Sequence, residues 1–224
     1  MKVLILKGKN EAAHKVSNII LNQVKKKPNS VLGLATGKTM IPIYKTLANS
    51  SKKEKIDWAS ITTFNLDEYS NSSEFHSFMN KHLFSKIDIK KTNINFPKNS
   101  SYDQKIKKSG KIDLMILGIG RNDHIAFNEP GSSFSSKTRK VVLSKETLKA
   151  NKTKHKKAIT MGISTILKSR QIIIIAFGKE KARAIYKALK GPVSESVPAT
   201  SLRKHKNTTF ILDRKAAKLL HNKS

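Results

Sequence analysis

The sequence predicts an α/β domain in which a mostly parallel sheet is flanked by helices. Short apolar runs rich in β-branched residues recur along the 224 residues, and the gaps between them leave room for helices. Helical spacing of apolar residues in those gaps indicates βαβ crossovers, which place successive strands parallel. No repeat, low-complexity linker or break in composition divides the chain. We therefore expect a single domain over residues 1–224.

The apolar pattern predicts the individual elements in turn. Strands are expected where four or more apolar, mainly β-branched residues follow one another, because such residues fit a buried, pleated surface. The predicted strands cover residues 2–6, 31–35, 61–66, 113–118, 158–161, 172–177 and 208–212. Helices are expected where apolar residues recur three or four positions apart, and Asn10 is the predicted N-terminal cap of the first helix. The predicted helices lie at residues 12–24, 41–47, 76–85, 179–189 and 216–220.

One strand leads directly into polar residues. The run 114–117 is unbroken and apolar, as is typical of a parallel strand buried on both faces. Gly118 and Gly120 then allow a sharp turn, and His124 and Glu129 follow it. Because open α/β sheets bind ligands at the carboxyl ends of their strands, this order predicts a polar site there.

Composition excludes several classes of chemistry and of partner. The chain has no cysteine, so disulfides, zinc–thiolate sites and thiol nucleophiles are excluded. No apolar run has the length that crosses a bilayer, and the apolar start of the chain is too short for a signal peptide. We expect a soluble, cytoplasmic protein with no membrane partner.

The formal net charge of +30 reflects 45 basic and 15 acidic residues. The basic residues are spread over nearly every segment, without a recognition-helix pattern or interleaved aromatic residues. This distribution favours a solvated lysine-rich surface over a specific nucleic-acid site. The charge should still attract anionic substrates and cause salt-dependent, non-specific binding to nucleic acid.

The segment 33–39, GLATGKT, follows a predicted strand and precedes a predicted helix. Backbone N–H groups at such a junction can hold a phosphate. The nucleotide-binding P-loop needs four residues between its first Gly and the Gly-Lys pair, and this segment has three. It is therefore either a site for the phosphate of a small metabolite or a tight turn that needs Gly37.

Three further groups are candidates for the chemistry. Asp67 and Glu68 end a strand, and adjacent strand residues point to opposite faces, so only one should face a site. His124 and Glu129 form a candidate proton-transfer pair if the carboxylate binds one imidazole nitrogen, or else a capping His and a surface Glu. Lys181 lies in the first turn of a predicted helix and is either a phosphate partner or a surface lysine. No spacing among the seven histidines is typical of a metal site.

Together these segments resemble glucosamine-6-phosphate deaminases, the glucosamine-6-phosphate isomerase family. The similar segments are 32–39, 63–69, 76–79, 118–130, 158–162, 177–182 and 197–202. The run HIAFNEP at 124–130 is the most specific, because the related 6-phosphogluconolactonases share the fold and the Gly-rich turn but differ after the histidine.

The resemblance implies the family's modified Rossmann-like sheet, without a redox cofactor or a catalytic metal. It implies conversion of the sugar phosphate glucosamine 6-phosphate to fructose 6-phosphate and ammonia, in amino-sugar catabolism. The residue matching the family's base, which moves a proton between C2 and C1, is Asp67. His124 would assist opening of the sugar ring, and Glu129 would orient the imidazole of His124. Asn122 lies at a position where members of the family carry Asp or Asn. The residues in the implied phosphate site are Thr36, Gly37, Lys38, Thr39 and Lys181.

The chain departs from the family pattern at two places that bear on the site. Asp123 precedes the histidine where Gly is usual, so it should either crowd the turn or need a rare backbone conformation. The Arg that usually binds the phosphate after an Ala-Asn pair is missing, and Lys152 or Lys154 would have to supply its charge less effectively. A 6-phosphogluconolactonase-like enzyme and a catalytically impaired sugar-phosphate or polyanion binder stay open as alternatives. The oligomeric state is not predicted.

Overall fold

A seven-stranded parallel sheet forms the centre of the protein, whose computed structural model describes residues 1–220. The strands of the chain are β1 (Lys2–Leu6), β2 (Val31–Leu34), β3 (Thr62–Asn65), β4 (Asp67–Tyr69), β5 (Ile94–Asn95), β6 (Leu114–Gly118), β7 (Arg139–Val142), β8 (Lys157–Thr160), β9 (Gln171–Ala176) and β10 (Thr208–Asp213). The parallel sheet has the strand order β1–β10–β9–β6–β2–β3–β5. The predicted α/β class and mostly parallel sheet are confirmed.

The helices cover the sheet with apolar faces. They are α1 (Lys9–Lys26), α2 (Ile41–Lys53), α3 (Glu74–His82), α4 (Tyr102–Lys108), α5 (Lys145–Asn151), α6 (Ile163–Leu167) and α7 (Ala182–Lys190). Every third or fourth residue of α1 is buried, as the spacing predicted. The four apolar residues 114–117 of β6 are fully buried, as expected for a central parallel strand. No helix of residues 1–220 is long and apolar enough to cross a membrane.

Three details of the predicted elements are wrong. Asn10 is not the cap of α1, because the helix begins one residue earlier and Gly8 occupies the capping position. The segment 216–220 contains only a 3₁₀ turn at Lys218–Leu220. The run at 158–161 does not join the parallel sheet, because β8 pairs antiparallel with β4 and β7 in a separate three-stranded sheet.

The strand order places a direction change between β2 and β6. From β2 the chain continues through β3 to β5 on one side, and β6 then adds to the other side of β2 and leads to β9 and β10. Connections from neighbouring strands diverge at such a switch point and leave a crevice at the carboxyl ends. The loop after β2 and the Gly-rich turn after β6 therefore border the same crevice.

Candidate active site

The turn after β6 closes on itself and places His124 over Gly120. The Gly120 N–H donates to the His124 carbonyl at 2.9 Å, and the Asp123 N–H donates to the Gly120 carbonyl at 3.3 Å. A Cβ on Gly120 would lie 2.4 Å from atoms of the His124 ring, so only glycine fits there. Asp123 has a φ of 70°. Of the two expected effects of Asp123, a crowded turn or a rare backbone conformation, the second is confirmed.

The imidazole of His124 is largely enclosed and carries no charge at neutral pH. Burial lowers its pKa to about 4, and the positive charge of Lys181 acts in the same direction. The carboxylates of Glu129 and Asp123 oppose this shift without cancelling it. Nδ1 of the ring is buried and has no hydrogen-bond partner within residues 1–220. A neutral imidazole can both accept and donate a proton.

Glu129 does not hold the His124 ring by a hydrogen bond, so that part of the sequence interpretation is wrong. Its carboxylate accepts instead from the Ser144 N–H at 2.9 Å, from the Ser144 hydroxyl at 2.8 Å and from the Thr147 hydroxyl. Burial alone would raise the pKa of Glu129, but the bonds from Thr147 and Ser144 outweigh it and the pKa is lowered. Glu129 therefore stays ionised near His124 while it anchors the start of α5.

We expect Glu129→Gln to lower the free energy of unfolding by about 1–3 kcal/mol, because the amide nitrogen cannot accept the bonds that the second carboxylate oxygen accepts. Urea unfolding followed by circular dichroism measures the change. Glu146→Gln is the matched control, since Glu146 lies exposed in α5, the helix whose start Glu129 binds, and its loss should change stability by less than about 0.5 kcal/mol. Equal unfolding midpoints for the two variants would contradict this role.

Asp67 and Glu68 have different surroundings, as the strand period predicted. The Glu68 carboxylate accepts the backbone N–H groups of Tyr69, Phe75 and His76 at 2.9–3.1 Å and so fixes the start of α3. Asp67 is 7% exposed, and its carboxyl group has no hydrogen bond or ion pair within residues 1–220. Burial raises its pKa to about 7, and the charge of Glu68 adds to the rise. Asp67 can therefore take up and release a proton near neutral pH.

Strand pairing and side-chain hydrogen bonds connect Asp67 to the histidine segment. Asp67 pairs with Thr160 across the small sheet, and the Thr160 hydroxyl accepts the Phe127 N–H at 3.0 Å. Asn128 donates to the carbonyls of Ile125 and Met161, at 3.0 and 2.8 Å. The segment that carries His124 is thus fixed against the strand that neighbours Asp67.

The loop after β2 begins beside the strand that leads to Asp67, since the Leu66 N–H donates to the Leu34 carbonyl at 3.3 Å. Gly37 has a φ of 109°, and the Met40 N–H donates to its carbonyl at 2.9 Å. Within residues 1–220, none of the backbone N–H groups of Thr36, Gly37, Lys38 and Thr39 donates a hydrogen bond. The loop is thus both the predicted tight turn and a set of free donors suited to a phosphate. Lys38 itself is exposed.

Lys181 reaches across to the turn after β6. Its Nζ donates to the Ile119 carbonyl at 2.6 Å, which places the ammonium group at the crevice. Burial lowers its pKa, and the positive charge of Arg121 contributes. Sequence reasoning did not single out Arg121, although a cation inside the Gly-rich turn was a visible signal. Lys152 and Lys154 are exposed and make no ion pair or side-chain hydrogen bond within residues 1–220.

Asn122 lies in the same turn, and its side-chain oxygen is buried without a partner among the described residues. That oxygen is free to accept a hydrogen bond from a ligand. Over residues 1–220, no three His, Cys, Asp or Glu side chains cluster as a metal site would require. The loops that follow β2 and β6 therefore present free backbone N–H groups, a lysine and a neutral imidazole, and the buried carboxyl of Asp67 follows β3.

Comparison with known proteins gives consistent matches over nearly the whole chain. The family described as glucosamine-6-phosphate isomerases/6-phosphogluconolactonase matches residues 8–211. Glucosamine-6-phosphate deaminases from Clostridium novyi (strain NT) and Thermoanaerobacter sp. (strain X514) are 44% and 43% identical. Each alignment covers 98% of this chain, and it covers 100% of the first relative and 95% of the second.

Solved structures agree with these matches. A monomeric glucosamine-6-phosphate deaminase superposes with a TM-score of 0.95 at 39% identity, over 98% of this chain and 100% of that one. The 6-phosphogluconolactonase from Thermotoga maritima has a TM-score of 0.77 at 21% identity, over 95% of this chain and 99% of that one, which is a likeness of fold alone. By sequence and by fold, this chain belongs to the family of glucosamine-6-phosphate isomerases and 6-phosphogluconolactonases.

Proposed function

We propose that the protein is a glucosamine-6-phosphate deaminase, which converts glucosamine 6-phosphate and water to fructose 6-phosphate and ammonia. The observation that carries this proposal is the buried carboxyl of Asp67, whose pKa is about 7, on a strand that Thr160 links to the segment of neutral His124. Relatives of 41–44% identity that carry this name support the choice of substrate. The charged sugar phosphate is a metabolite of the cytoplasm, so we place the enzyme there.

The phosphate group binds at the loop after β2. The free N–H groups of Thr36, Gly37 and Thr39 donate to the phosphate oxygens, and the ammonium of Lys181 supplies a positive charge. Arg121, whose charge already acts on Lys181, adds to the positive potential at the crevice. An anion there relieves the repulsion between the two cations.

The sugar ring opens at His124. Because the imidazole is neutral at physiological pH, it can take the proton of the O1 hydroxyl and return a proton to the ring oxygen. The product of this step is the open-chain aldehyde. The free side-chain oxygen of Asn122 accepts a hydrogen bond from a sugar hydroxyl. Glu129 contributes negative charge near the ring while its own hydrogen bonds keep it in place.

Ionised Asp67 then carries out the aldose-to-ketose step. It removes the proton from C2 and delivers it to C1, while O1 gains the proton that the amine gives up. The result is a hydroxyl at C1 and an imine at C2. Water adds to the imine and displaces ammonia, which leaves the C2 ketone of fructose 6-phosphate. No redox change occurs, so the scheme calls for no electron acceptor.

A substrate panel tests the proposed function against its alternatives. We expect purified protein to release ammonia from millimolar glucosamine 6-phosphate and to hydrolyse 6-phosphogluconolactone far more slowly. Faster hydrolysis of the lactone would assign the protein to the second activity of the family. If the protein shows neither activity and binds an oligonucleotide tightly at physiological salt, it is a polyanion binder.

We expect Lys181→Met to raise KM for glucosamine 6-phosphate roughly 10- to 100-fold with a smaller change in kcat, because one charge-assisted bond to the phosphate is lost. Steady-state kinetics and inhibition by inorganic phosphate measure the effect. Lys179→Met is the matched control, since Lys179 lies exposed in the same 3₁₀ turn. A KM that does not change in Lys181→Met would remove Lys181 from the phosphate site.

A further inference from the structure

The residue before His124 is an acid in an unusual position. Asp123 is 4% exposed and adopts a left-handed backbone conformation with a φ of 70°. Non-glycine residues are uncommon there, although Asp and Asn tolerate it better than most. A buried carboxylate needs a partner, because an unpaired charge inside a protein is strongly destabilising.

Lys187 of α7 supplies that partner. Its Nζ lies 2.8 Å from one carboxylate oxygen of Asp123, and the lysine side chain is 39% exposed against 6% for the aspartate. The other carboxylate oxygen is buried without a partner within residues 1–220. The Asp123 carbonyl also accepts the Ala199 N–H at 3.1 Å. Asp123 is therefore fixed both through its carboxylate and through its backbone.

The same stretch of chain holds the turn at two points. Lys181, which directly precedes α7, binds the Ile119 carbonyl before the turn, and Lys187 binds Asp123 just before the histidine. Ile119 directly precedes the loop that Gly120 and His124 close, and Asp123 lies within it. The conformation of this loop thus depends on two lysines six residues apart.

The backbone of this loop determines where the imidazole points. No side chain of residues 1–220 forms a hydrogen bond to the His124 ring, and Glu129 is bound elsewhere. Ring orientation therefore depends on the packing against Gly120 and on the dihedral angles at residues 123 and 124. We propose that Lys187, acting through Asp123, is a positioning residue that holds His124 in its reactive orientation.

A double-mutant cycle tests this inference, whose kinetic part depends on the proposed deaminase function. We expect Lys187→Met to lower kcat for ammonia release roughly 10-fold and to change KM less than about 2-fold, because small misplacements of a catalytic group are costly. Asp123→Asn should cost less, since Asn tolerates the same backbone conformation without a buried charge. In the Asp123→Asn background, Lys187→Met should have almost no further effect.

Two variants separate positioning from a general effect on folding. Lys187→Arg should restore most of the kcat, because the cation is retained. Lys190→Met is the control on the same helix, since Lys190 is exposed and its side chain makes no ion pair or hydrogen bond within residues 1–220. Equal kcat losses from Lys187→Met in the wild-type and Asp123→Asn backgrounds would overturn the inference.

NMR of the His124 ring gives a readout that does not need turnover. At pH 8 we expect one set of imidazole signals for the wild type and for Lys190→Met, and exchange-broadened or doubled signals for Lys187→Met. Identical His124 signals in wild type and Lys187→Met would overturn the positioning role. If the wild-type protein releases no ammonia, the proposed function fails, while these spectra still decide how His124 is held.

Discussion

Asp67→Asn is expected to lower kcat for ammonia release roughly 1,000-fold while the protein stays folded, because the base for the C2-to-C1 proton transfer is lost. Asparagine keeps the shape of the side chain but cannot take up a proton. Steady-state kinetics at saturating substrate measure the loss. Turnover within about 2-fold of the wild type would refute the role of Asp67.

The pH dependence gives the same prediction a second readout. Asp67 acts as a base only when ionised, and burial raises its pKa to about 7. The rate of the wild type should therefore rise as the pH increases through about 7 and level off above it. Residual turnover of Asp67→Asn should lack this acid limb. Ionisations of the substrate are common to both proteins, so a limb that disappears only in the variant belongs to Asp67.

Stability provides a control against a purely structural role for Asp67. The folded-state pKa of about 7 lies above the ordinary value of 3.8, so the ionised carboxylate opposes folding. This cost is absent below about pH 4, grows between about pH 4 and pH 7, and is complete above that range. At pH 8, Asp67→Asn should therefore increase the free energy of unfolding by about 1–3 kcal/mol. A structural carboxylate would give the opposite sign.

His124→Asn is expected to lower kcat roughly 100-fold, because neutral imidazole no longer assists ring opening. The pKa of His124 is lowered to about 4, so its ionisation should not appear in the wild-type profile between pH 5 and 9. The acid limb from Asp67 should then persist in His124→Asn. Loss of that limb in His124→Asn, with its retention in Asp67→Asn, would reverse the two assignments.

The parallel sheet was predictable from the sequence because its central strands contain continuous apolar runs, such as residues 114–117 and 172–176. The small antiparallel sheet was harder to predict. β4 has three residues, two of them acidic, and β7 begins with Arg139 and Lys140. Pairing with β8 stabilises both strands, and short polar segments give no local signal of such tertiary contacts.

The candidate site was likewise predictable from the sequence only in part. Strand periodicity separated Asp67 from Glu68, since it depends only on neighbouring positions. The partners of Glu129 lie 15 and 18 residues further on, so spacing alone could not identify them. The cation that pairs with Asp123 is one of 45 basic residues, and only the fold selects Lys187.

The most direct measurement follows glucosamine 6-phosphate labelled with deuterium at C2 by NMR as it reacts. We predict equimolar ammonia and fructose 6-phosphate, with the C2 deuterium divided between C1 of the product and the solvent, because a single carboxylate carries it. Asp67→Asn should slow the loss of the C2 deuterium roughly 1,000-fold, and its residual product should carry no deuterium at C1. Fructose 6-phosphate formed by Asp67→Asn at the wild-type rate, or no ammonia from the wild type, would contradict the proposed reaction at this site.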